Sequence, residues 1–442
     1  MPHHSNSTMT DEFYNMRKQH KHNKYSLVTK TRRGMRPMRT TTKRRIRYSS
    51  SVSSSSTVSK AIPHTQNTKK ATSFSDFTHL FPHEISFQIM AHLDLESLCE
   101  IAKVSKAWYF LSKSNEIWRQ QCSIWNLSFR PSYQLDYYHI YKQHYLLKQR
   151  WDYGRVATHY LIGHIDSVYC LQFDSSKIVT GSRDRTIKFW NLETYQCTQT
   201  LVGHEGSVLC LEYNDRIMVS GSSDTTIIVW NMKTCQPIMR LRGHTAGVLD
   251  VCFNEQVIIS CSKDRTIRIW DINNGQLLNT IMAHRGPVNA IQLFENKLVS
   301  ASGDAFIKMW DITTGECLRQ FEGHTRGLAC VRYDGHRIVS GSNDKTIKVW
   351  NPETGECIMS CEGHTDLVRT LNFDENRIVS ASYDQSIRVW DIKTGACLLN
   401  FQSGHTSWVF DVHFDSTRIV SASQDQRVLV MDFTFGLDTQ YF

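Results

Sequence analysis

The sequence has no apolar run that approaches the length of a membrane-spanning helix, and no apolar segment typical of a secretory leader. Its 13 cysteines are an odd number, so disulfides within the chain cannot pair all of them. These features predict a reducing setting, cytoplasmic and/or nuclear, without a membrane partner. No metal site and no cofactor are predicted.

Acidic residues are scarce at the N-terminal end. Residues 1–70 carry 16 of the 51 Lys and Arg residues against only Asp11 and Glu12. From residue 71 onward 35 basic residues stand against 40 acidic ones, so the formal net charge of +9 belongs to the N-terminal segment. This segment also has few large apolar groups and a serine tract between Ser49 and Ser56. We therefore predict a disordered basic and Ser-rich tail over residues 1–73.

The basic clusters of this tail, Arg32-Arg33 and residues 43–47, have two interpretations that stay open. One is nuclear import or loose anion binding, and the other is a solvated tail without a specific partner. Nucleic-acid binding is not favoured, because no aromatic platform or groove-reading module accompanies the charge.

The rest of the chain is dominated by a frame that recurs seven times. Its first landmark is a Gly-His pair, once Ala-His, repeated at a step of 40 residues five times and 41 once. The histidines are His164, His204, His244, His284, His324, His364 and His405. A Ser-x-Asp turn follows, and then a Trp-Asp or Trp-Asn pair whose Trp lies 26 residues after the histidine. In the seventh copy Met431 replaces the Trp.

These four side-chain types can form one hydrogen-bonded relay. An indole N–H only donates, a carboxylate only accepts, and a hydroxyl and a neutral imidazole do both. We expect the Trp, the turn serine, the His and the Asp of each frame to be joined in this way. A Ser/His/Asp hydrolase triad is not favoured, because seven copies at regular spacing indicate a structural role. Without its Trp, the seventh frame is expected to be the least tightly fixed.

The frame resembles the WD-repeat family, and the resemblance implies four-stranded blades of a β-propeller. Runs rich in β-branched and aromatic residues, separated by turn dipeptides, agree with strands. We predict a mainly β chain with a seven-bladed propeller over residues 156–435 and a short tail over residues 436–442. Since the last frame has no successor, residues 156–161 are expected to close the ring. Six cysteines at repeat-equivalent positions are expected to be buried: Cys170, Cys210, Cys330, Cys317, Cys357 and Cys397.

Residues 74–122 predict a small all-α module. Large apolar residues recur there at spacings of three to five, which is typical of short packed helices, with breaks near Asp94 and Ser105. Residues 123–155 are predicted to be linker helices that set the distance from this module to the propeller.

The helical module resembles the F-box, in its Phe81-Pro82 opening, its Leu95 and Leu98, and the Trp108 and Trp118 that follow Val104. In that family exposed apolar residues dock on a Skp-type adaptor, which bridges to a cullin/RING scaffold. The resemblance implies this adaptor-binding role for Leu80, Phe81, Pro82, Ile85, Ile89, Leu93, Leu95, Leu98 and Trp108. An unrelated helical cap is the alternative interpretation.

An F-box ahead of a seven-bladed propeller resembles the F-box/WD-repeat substrate receptors of SCF ubiquitin ligases. The resemblance implies a non-catalytic subunit that captures phosphorylated proteins for ubiquitin-dependent degradation. A ligase with a catalytic cysteine is not favoured, because no cysteine lies in an evident basic and exposed site. The alternative function is a WD-repeat scaffold without a role in ubiquitin transfer.

Two positions per frame are expected to point to the channel mouth of this fold. The fifth residues after each His are Tyr169, Leu209, Leu249, Asn289, Ala329, Arg369 and Phe410. The residues before each turn Asp are Arg183, Ser223, Lys263, Gly303, Asn343, Tyr383 and Gln424. They include three cations and no acid, so the mouth is expected to favour anions such as phosphate.

Within the receptor family the pattern is closest to the β-TrCP branch, the beta-transducin-repeat-containing proteins, which implies a doubly phosphorylated Asp-Ser-Gly-type degron. Mouth positions and resemblance together assign phosphodegron binding to Tyr169, Arg183, Ser223, Lys263, Asn289, Arg326, Gly327, Ala329, Asn343, Leu367, Arg369 and Tyr383. The sequence departs from the branch at three positions. Ala305 and Trp408 stand where it has basic groups, and Asn343 replaces a serine, which leaves the degron sequence open.

Overall fold

The computed structural model describes residues 80–125 and 135–442. These residues fall into two compact units, the first ending at Tyr141 and the second running from Lys142 to Phe442. The tail predicted for residues 1–73 lies outside the described residues. Within the described ranges, no helix is long and apolar enough to cross a membrane.

The first unit contains four short helices: α1 (His83–Ala91), α2 (Leu95–Ile101), α3 (Lys106–Ser112) and α4 (Asn115–Ile124). Asp94 caps α2 by accepting a hydrogen bond from the backbone N–H of Ser97 at 2.8 Å. Ser105 caps α3 by accepting from the backbone N–H of Trp108 at 3.3 Å. The helix breaks expected near these two residues are therefore confirmed. The core of the unit consists of Met90, Leu98, Leu111 and Ile117.

A longer helix, α5 (Tyr137–Tyr153), follows within the segment predicted as a linker. It contains neither Gly nor Pro, which would interrupt it. In the second unit its residues Leu147 and Trp151 are buried in the apolar core of the last two blades.

The second unit is a ring of seven four-stranded antiparallel sheets. Blade 1 has β2 (Val168–Phe173), β3 (Lys177–Ser182), β4 (Thr186–Asn191) and β5 (Cys197–Val202). Blade 2 has β6 (Val208–Tyr213), β7 (Ile217–Ser222), β8 (Ile227–Asn231) and β9 (Pro237–Leu241). Blade 3 has β10 (Val248–Phe253), β11 (Val257–Ser262), β12 (Thr266–Asp271) and β13 (Leu277–Met282). Blade 4 has β14 (Val288–Phe294), β15 (Lys297–Ser302), β16 (Ile307–Asp311) and β17 (Cys317–Phe321).

The remaining three blades continue the same order. Blade 5 has β18 (Leu328–Tyr333), β19 (Ile338–Ser342), β20 (Ile347–Trp350) and β21 (Cys357–Cys361). Blade 6 has β22 (Val368–Phe373), β23 (Arg377–Ser382), β24 (Ile387–Asp391) and β25 (Cys397–Phe401). Blade 7 has β26 (Val409–Phe414), β27 (Arg418–Ser423), β28 (Arg427–Asp432) and, as its fourth strand, β1 (Ala157–Ile162). A short 3-10 helix, Thr439–Tyr441, follows the last blade.

Ring closure occurs as the sequence predicted. Strand β1 pairs antiparallel with β28, in a register that runs from Ala157 opposite Asp432 to Ile162 opposite Arg427. The first strand of the propeller therefore completes its last blade, and the seven-bladed fold is confirmed.

The cysteine prediction was half right. Cys170, Cys210 and Cys330 are buried on the first strands of their blades. Cys317 and Cys357 are exposed and Cys397 is only partly buried, because all three lie on the outermost strands. An apolar strand pattern does not distinguish the innermost strand of a blade from the outermost one.

Candidate functional site: the mouth of the propeller

A hydrogen-bonded relay fixes each blade, as blade 5 illustrates. Trp350 Nε1 donates to Ser340 Oγ at 2.8 Å, and Ser340 Oγ lies 2.9 Å from His324 Nε2. His324 Nδ1 lies 2.7 Å from Asp344 Oδ2. Because the carboxylate only accepts, Nδ1 carries the proton and Nε2 accepts from the serine hydroxyl. The relay therefore has the composition that the sequence predicted.

The serine of the relay is not the predicted one. The hydroxyl comes from the residue two positions before the turn serine, which in the seven blades is Thr180, Ser220, Ser260, Ser300, Ser340, Ser380 and Ser421. The turn serine has another task. Ser342 Oγ donates to the carbonyls of Arg326 and Gly327 at 3.0 and 3.1 Å and accepts from Asp344 N at 3.1 Å. It thereby ties the turn to the loop that leads into the first strand of the blade, here called the leading loop.

This tie brings the two predicted sets of residues to one end of the propeller. In every blade the backbone N–H of the residue before the turn Asp donates to a leading-loop carbonyl, as in Arg183 to Ser167 at 2.8 Å and Tyr383 to Leu367 at 3.0 Å. Leading loops and turns therefore form one face around the channel, which we call the mouth. Six of the seven turn residues are exposed, and Tyr383 is half-buried.

A β-bulge places the other set. The pairing of the first two strands of each blade skips one residue, for example Tyr169 between Val168 and Cys170. An extra residue in a bulge turns its side chain away from the regular alternation. The seven skipped residues are Tyr169, Leu209, Leu249, Asn289, Ala329, Arg369 and Phe410. All seven line a central cavity of about 230 Å³.

Two guanidinium groups of the mouth act on the same side chain. Burial raises the pKa of Tyr169, while the positive charges of Arg183 and Arg369 oppose this rise. Arg183 comes from blade 1 and Arg369 from blade 6, where Arg369 Nη1 also donates to Ala329 O of blade 5 at 3.4 Å. Arg183 Nε also lies 3.7 Å from Asp166 Oδ2, and both of these side chains are exposed. An acid outside the fourteen predicted positions thus partly neutralises one cation.

Aromatic rings occupy the same side of the mouth. Trp408 is stacked on Tyr383, with ring centroids 4.5 Å apart and an interplanar angle of 7°. Phe410 packs edge-on against Tyr383 at 5.9 Å and lies 4.9 Å from Tyr169. The four rings form a continuous aromatic patch across blades 6, 7 and 1. The sequence offered Trp408 only as a departure from the β-TrCP pattern and did not predict the stack.

Other predicted ligand-binding residues lie elsewhere around the mouth or serve the fold. Lys263 on blade 3 is exposed. Arg326, in the leading loop of blade 5, is also exposed and lies next to blade 6, whose Arg369 donates from Nη1 to Ala329 O of blade 5 at 3.4 Å. Asn343 is exposed on its turn, and Leu367 is half-buried beside Tyr383. Ala329 and Asn289 line the cavity, and Asn289 Nδ2 also donates to Leu328 O at 2.6 Å.

Two of the predicted residues have structural roles. Ser223 Oγ accepts from Ser207 N at 2.8 Å and holds its leading loop. Gly327 lies against Gly303, and a Cβ on Gly327 would come within 2.8 Å of the Gly303 carbonyl oxygen. Close backbone packing therefore accounts for this glycine without any ligand.

Buried acids line the channel, and the sequence did not predict them. Burial and the charge of Asp250 raise the pKa of Glu212 to about 7, although Arg332 opposes the rise. Burial likewise raises the pKa of Asp250 to about 6. Burial lowers the pKa of His413 to about 4. The sequence does contain a signal for these acids. It is a charged residue in the middle of an otherwise apolar first strand, such as Glu212 in β6.

The first unit exposes several of the apolar residues assigned to adaptor binding. Leu80 is 62% exposed, Phe81 49%, Ile85 41% and Ile89 43%. Pro82, just before α1, is exposed, while Leu93, Leu95 and Trp108 are half-buried. Leu98 is fully buried in the core, so its assignment to a docking surface was wrong. Val104 and Phe110, which the sequence analysis did not assign to this surface, are 62% and 71% exposed.

Comparisons with known proteins agree with both parts of the chain. Residues 79–124 match the F-box-like family. The WD domain, G-beta repeat family matches residues 155–191, 195–231, 235–271, 275–311, 315–351, 355–391 and 395–432. The chain belongs to the WD-repeat family. With its F-box-like segment it has the composition of an F-box/WD protein.

Similar proteins carry related names. The probable E3 ubiquitin ligase complex SCF subunit sconB of Arthroderma benhamiae is 31% identical over 156 residues, covering 27% of this chain and 24% of the relative. F-box/WD repeat-containing protein 2 of Mus musculus is 32% identical over 138 residues, covering 30% and 33%. The matches thus span a quarter to a third of these relatives. The crystal structure of the computationally designed Ika8 protein has a TM-score of 0.53 at 36% identity, over 61% of this chain and 85% of that one.

Proposed function

We propose that this F-box/WD protein is the substrate-recognition subunit of an SCF-type E3 ubiquitin ligase. The mouth of the propeller captures phosphorylated degrons, and the F-box-like helices bind a Skp-type adaptor and through it a cullin/RING scaffold. The observation that carries the proposal is the row of exposed apolar side chains at the start of the F-box-like segment. The names of the relatives, SCF subunit and F-box/WD repeat-containing protein, support the same role.

The exposed row is costly unless a partner covers it. Phe81, Ile85 and Ile89 lie on or just before α1, whereas Met90 of the same helix is 1% exposed in the core. Large exposed apolar side chains that cluster on one element are typical of a protein interaction surface. An apolar adaptor groove fits this surface better than a nucleic acid or a charged ligand does.

The mouth supports the choice of a phosphorylated ligand. Guanidinium groups bind phosphate through paired hydrogen bonds, and a phosphoserine brings about 1.5 to 2 negative charges at neutral pH. Hydrogen bonds to charged groups contribute about 1.5–3 kcal/mol each. Arg369 and Arg183, whose charges both act on Tyr169, therefore favour a phosphorylated peptide over its unmodified form.

In this role the chain need not take part in bond breaking. Holding a substrate beside the ubiquitin-transfer machinery raises the effective concentration of its lysines, which accelerates transfer without a catalytic residue here. The predicted cytoplasmic and/or nuclear location is compatible with this function and belongs to the proposal.

Adaptor binding is tested by copurification of the full chain with a Skp-type adaptor and a cullin. We expect the double variant Ile85→Asp/Ile89→Asp to lose both partners. The matched control is Ile358→Asp, because Ile358 is 61% exposed on an outer strand of blade 5. Leu98 is unsuitable for this test, since its replacement would disrupt the core. Retention of the cullin by the double variant would contradict the proposal and favour a scaffold role.

Phosphate dependence is tested by capturing proteins from extract with and without phosphatase treatment. We expect phosphatase and Arg369→Ala each to remove the same captured proteins. Lys393→Ala, which removes an exposed cation from a turn that follows β24, should leave capture unchanged. Equal capture after phosphatase treatment would exclude a phosphodegron as the ligand.

A further inference from the structure

The mouth of the propeller is chemically divided. Blades 6, 7 and 1 carry Tyr383, Trp408, Phe410 and Tyr169, which form the aromatic patch. Blades 2 to 5 have no aromatic residue at the bulge, turn or leading-loop positions that supply these rings; blade 2, for example, has Leu209, Ser223 and Ser207 there. A ligand that crosses the mouth therefore meets aromatic rings on one side only.

Two cations of the mouth flank this patch. Arg183 lies on blade 1 and Arg369 on blade 6, and Arg369 lines the same cavity as Tyr169, the last ring of the patch. Both positive charges act on Tyr169. The other cations assigned to ligand binding, Lys263 and Arg326, are exposed on blades 3 and 5. At the other end stands Trp408, 43% exposed, with no charge of its own. A second phosphate placed there would face the indole and phenol rings, which offer no counter-charge.

The ring of Trp408 is already oriented for contact with an apolar partner. Its ring is parallel to that of Tyr383 at 4.5 Å, so one indole face is covered and its orientation is defined. Tyr383 is itself supported edge-on by Phe410. Aromatic rings that are already oriented lose little conformational freedom when they bind another ring.

We infer that the ligand of the mouth is a segment with a single phosphoresidue and an aromatic or large apolar side chain nearby, which Trp408 and Tyr383 bind. This inference rests on the proposed function and deepens it. It places an apolar group where resemblance to the β-TrCP branch implies a second phosphate. Trp408 is then the residue that determines specificity.

The geometry sets the spacing between the two groups. Successive ring centroids of the patch are 4.9 Å apart from Tyr169 to Phe410, 5.9 Å from Phe410 to Tyr383 and 4.5 Å from Tyr383 to Trp408. Trp408 is therefore at most about 15 Å from Tyr169, or four to five residues of extended chain at about 3.3 Å each. The apolar side chain thus lies within about five residues of the phosphoresidue.

A cationic side chain is the competing occupant, because lysine and arginine also bind over aromatic faces. Arg183 and Arg369 disfavour it, since both place positive charge at the adjacent end of the patch. Charge complementarity thus favours an anionic segment that carries an apolar group.

The test uses synthetic peptides with one fixed phosphoserine and one varied position within five residues of it, measured by fluorescence anisotropy with the full chain. The varied residue is Phe, Ala, Lys or a second phosphoserine. We expect the Phe peptide to bind about three- to tenfold more tightly than the Ala peptide, the range typical of an aromatic pair. It should also bind more tightly than the peptides with Lys or a second phosphoserine.

Variants of Trp408 test whether its indole ring causes the preference for the Phe peptide. We expect Trp408→Ala to bind the Phe and Ala peptides equally while still requiring the phosphate, and Trp408→Phe to keep the preference. Phe294→Ala is the matched control, because Phe294 is 38% exposed and packs against a single aromatic neighbour, Tyr333, at 5.7 Å. Thermal melting of each variant confirms that it is folded.

The outcomes separate this inference from the proposed function. Phosphate-dependent binding without a Phe preference, or with a preference for Lys or a second phosphoserine, overturns the inference and leaves the proposed function in place. A Phe preference that survives in Trp408→Ala also overturns it. Binding that never depends on phosphate overturns the proposed function, and the inference with it.

Discussion

Trp151 is stacked face to face on Phe433, with ring centroids 3.8 Å apart and an interplanar angle of 9°. Its Nε1 donates to the carbonyl of Ser416 at 2.8 Å, and the guanidinium of Arg377 lies 4.2 Å from its ring centroid. Blade 7, whose relay lacks a Trp because Met431 replaces it, is thus held by an indole from helix α5. The loosening of this blade that the sequence predicts remains a prediction.

Removing this indole should weaken the propeller. We expect Trp151→Ala to lower the free energy of unfolding by about 3–5 kcal/mol, the usual cost of truncating a buried Trp. Trp151→Phe keeps a ring over Phe433 but loses the hydrogen bond to Ser416 and part of the buried ring volume, so it should cost clearly less than Trp151→Ala. Urea unfolding followed by circular dichroism measures both. Equal stability of Trp151→Ala and wild type would show that the stack does not hold the blade.

The relay serines offer a comparison between blades. Ser340→Ala leaves two buried groups without a partner, the Trp350 N–H and His324 Nε2. Ser421→Ala leaves only His405 Nε2, because blade 7 has no Trp donor. Each unsatisfied buried group costs about 1–3 kcal/mol, so we expect Ser340→Ala to be the more destabilising in thermal unfolding. The reverse order would contradict the assigned relay.

The acids of the channel predict a pH dependence of stability. The fold raises the pKa of Glu212 from 4.5 to about 7 through burial and the charge of Asp250. A raised carboxyl pKa means that the fold favours the neutral form, so its contribution is complete below pH 4.5 and is lost as the pH rises through about 7. Asp250, with a pKa of about 6, acts in the same direction.

A neutral isostere should remove this loss. We expect Glu212→Gln to be more stable than wild type at pH 8, on the order of 1–3 kcal/mol from the size of the shift, with little difference near pH 4. Chemical unfolding at both pH values measures the effect. Glu205→Gln changes an exposed acid of the same blade and should follow wild type. If Glu212→Gln and wild type show the same dependence of stability on pH, Glu212 is not the cause of that dependence.

The ion pair at the mouth predicts a gain of binding. Asp166 lies 3.7 Å from Arg183, and Asn at this position keeps the Oδ1 that accepts from Ser167 N at 2.7 Å. Exposed ion pairs are worth up to about 1 kcal/mol, so Asp166→Asn should strengthen phosphopeptide binding up to about fivefold. The control is Asp366→Asn, at the equivalent position of blade 6. It shows how much of the gain in affinity comes from removing any acid on this face. Weaker binding by Asp166→Asn would contradict a phosphate site at Arg183.

Much of the architecture was predictable because the frame repeats. The spacing of His324, Asp344 and Trp350 recurs in the other blades, so one interpretation served nearly the whole ring. The missing strand at residues 156–161 followed from the absence of a further frame. The seven cavity-lining positions also followed, although their cause, a bulge at residues such as Tyr169, is not visible in the sequence.

Other features depend on packing that a repeat does not report. Both Ser340 and Ser342 are 0% exposed serines of the same strand, so the sequence could not tell which one meets the Trp. Leu98 and Ile89 are both apolar residues of short helices, yet only tertiary packing decides that the first is buried and the second exposed. The contact between Trp408 and Tyr383 joins two blades, and such neighbours across blades cannot be read from the frame of either.

The pairing of β1 with β28 also shapes how the protein is made. Strand β1 leaves the ribosome before any blade has formed, and its partner β28 follows the strands of all six other blades in the chain. Until then the growing arc has an open sheet edge at each end, which invites pairing with other chains. A premature stop anywhere in the last blade therefore yields an unclosed arc that quality control must remove, rather than a receptor with a few binding residues missing.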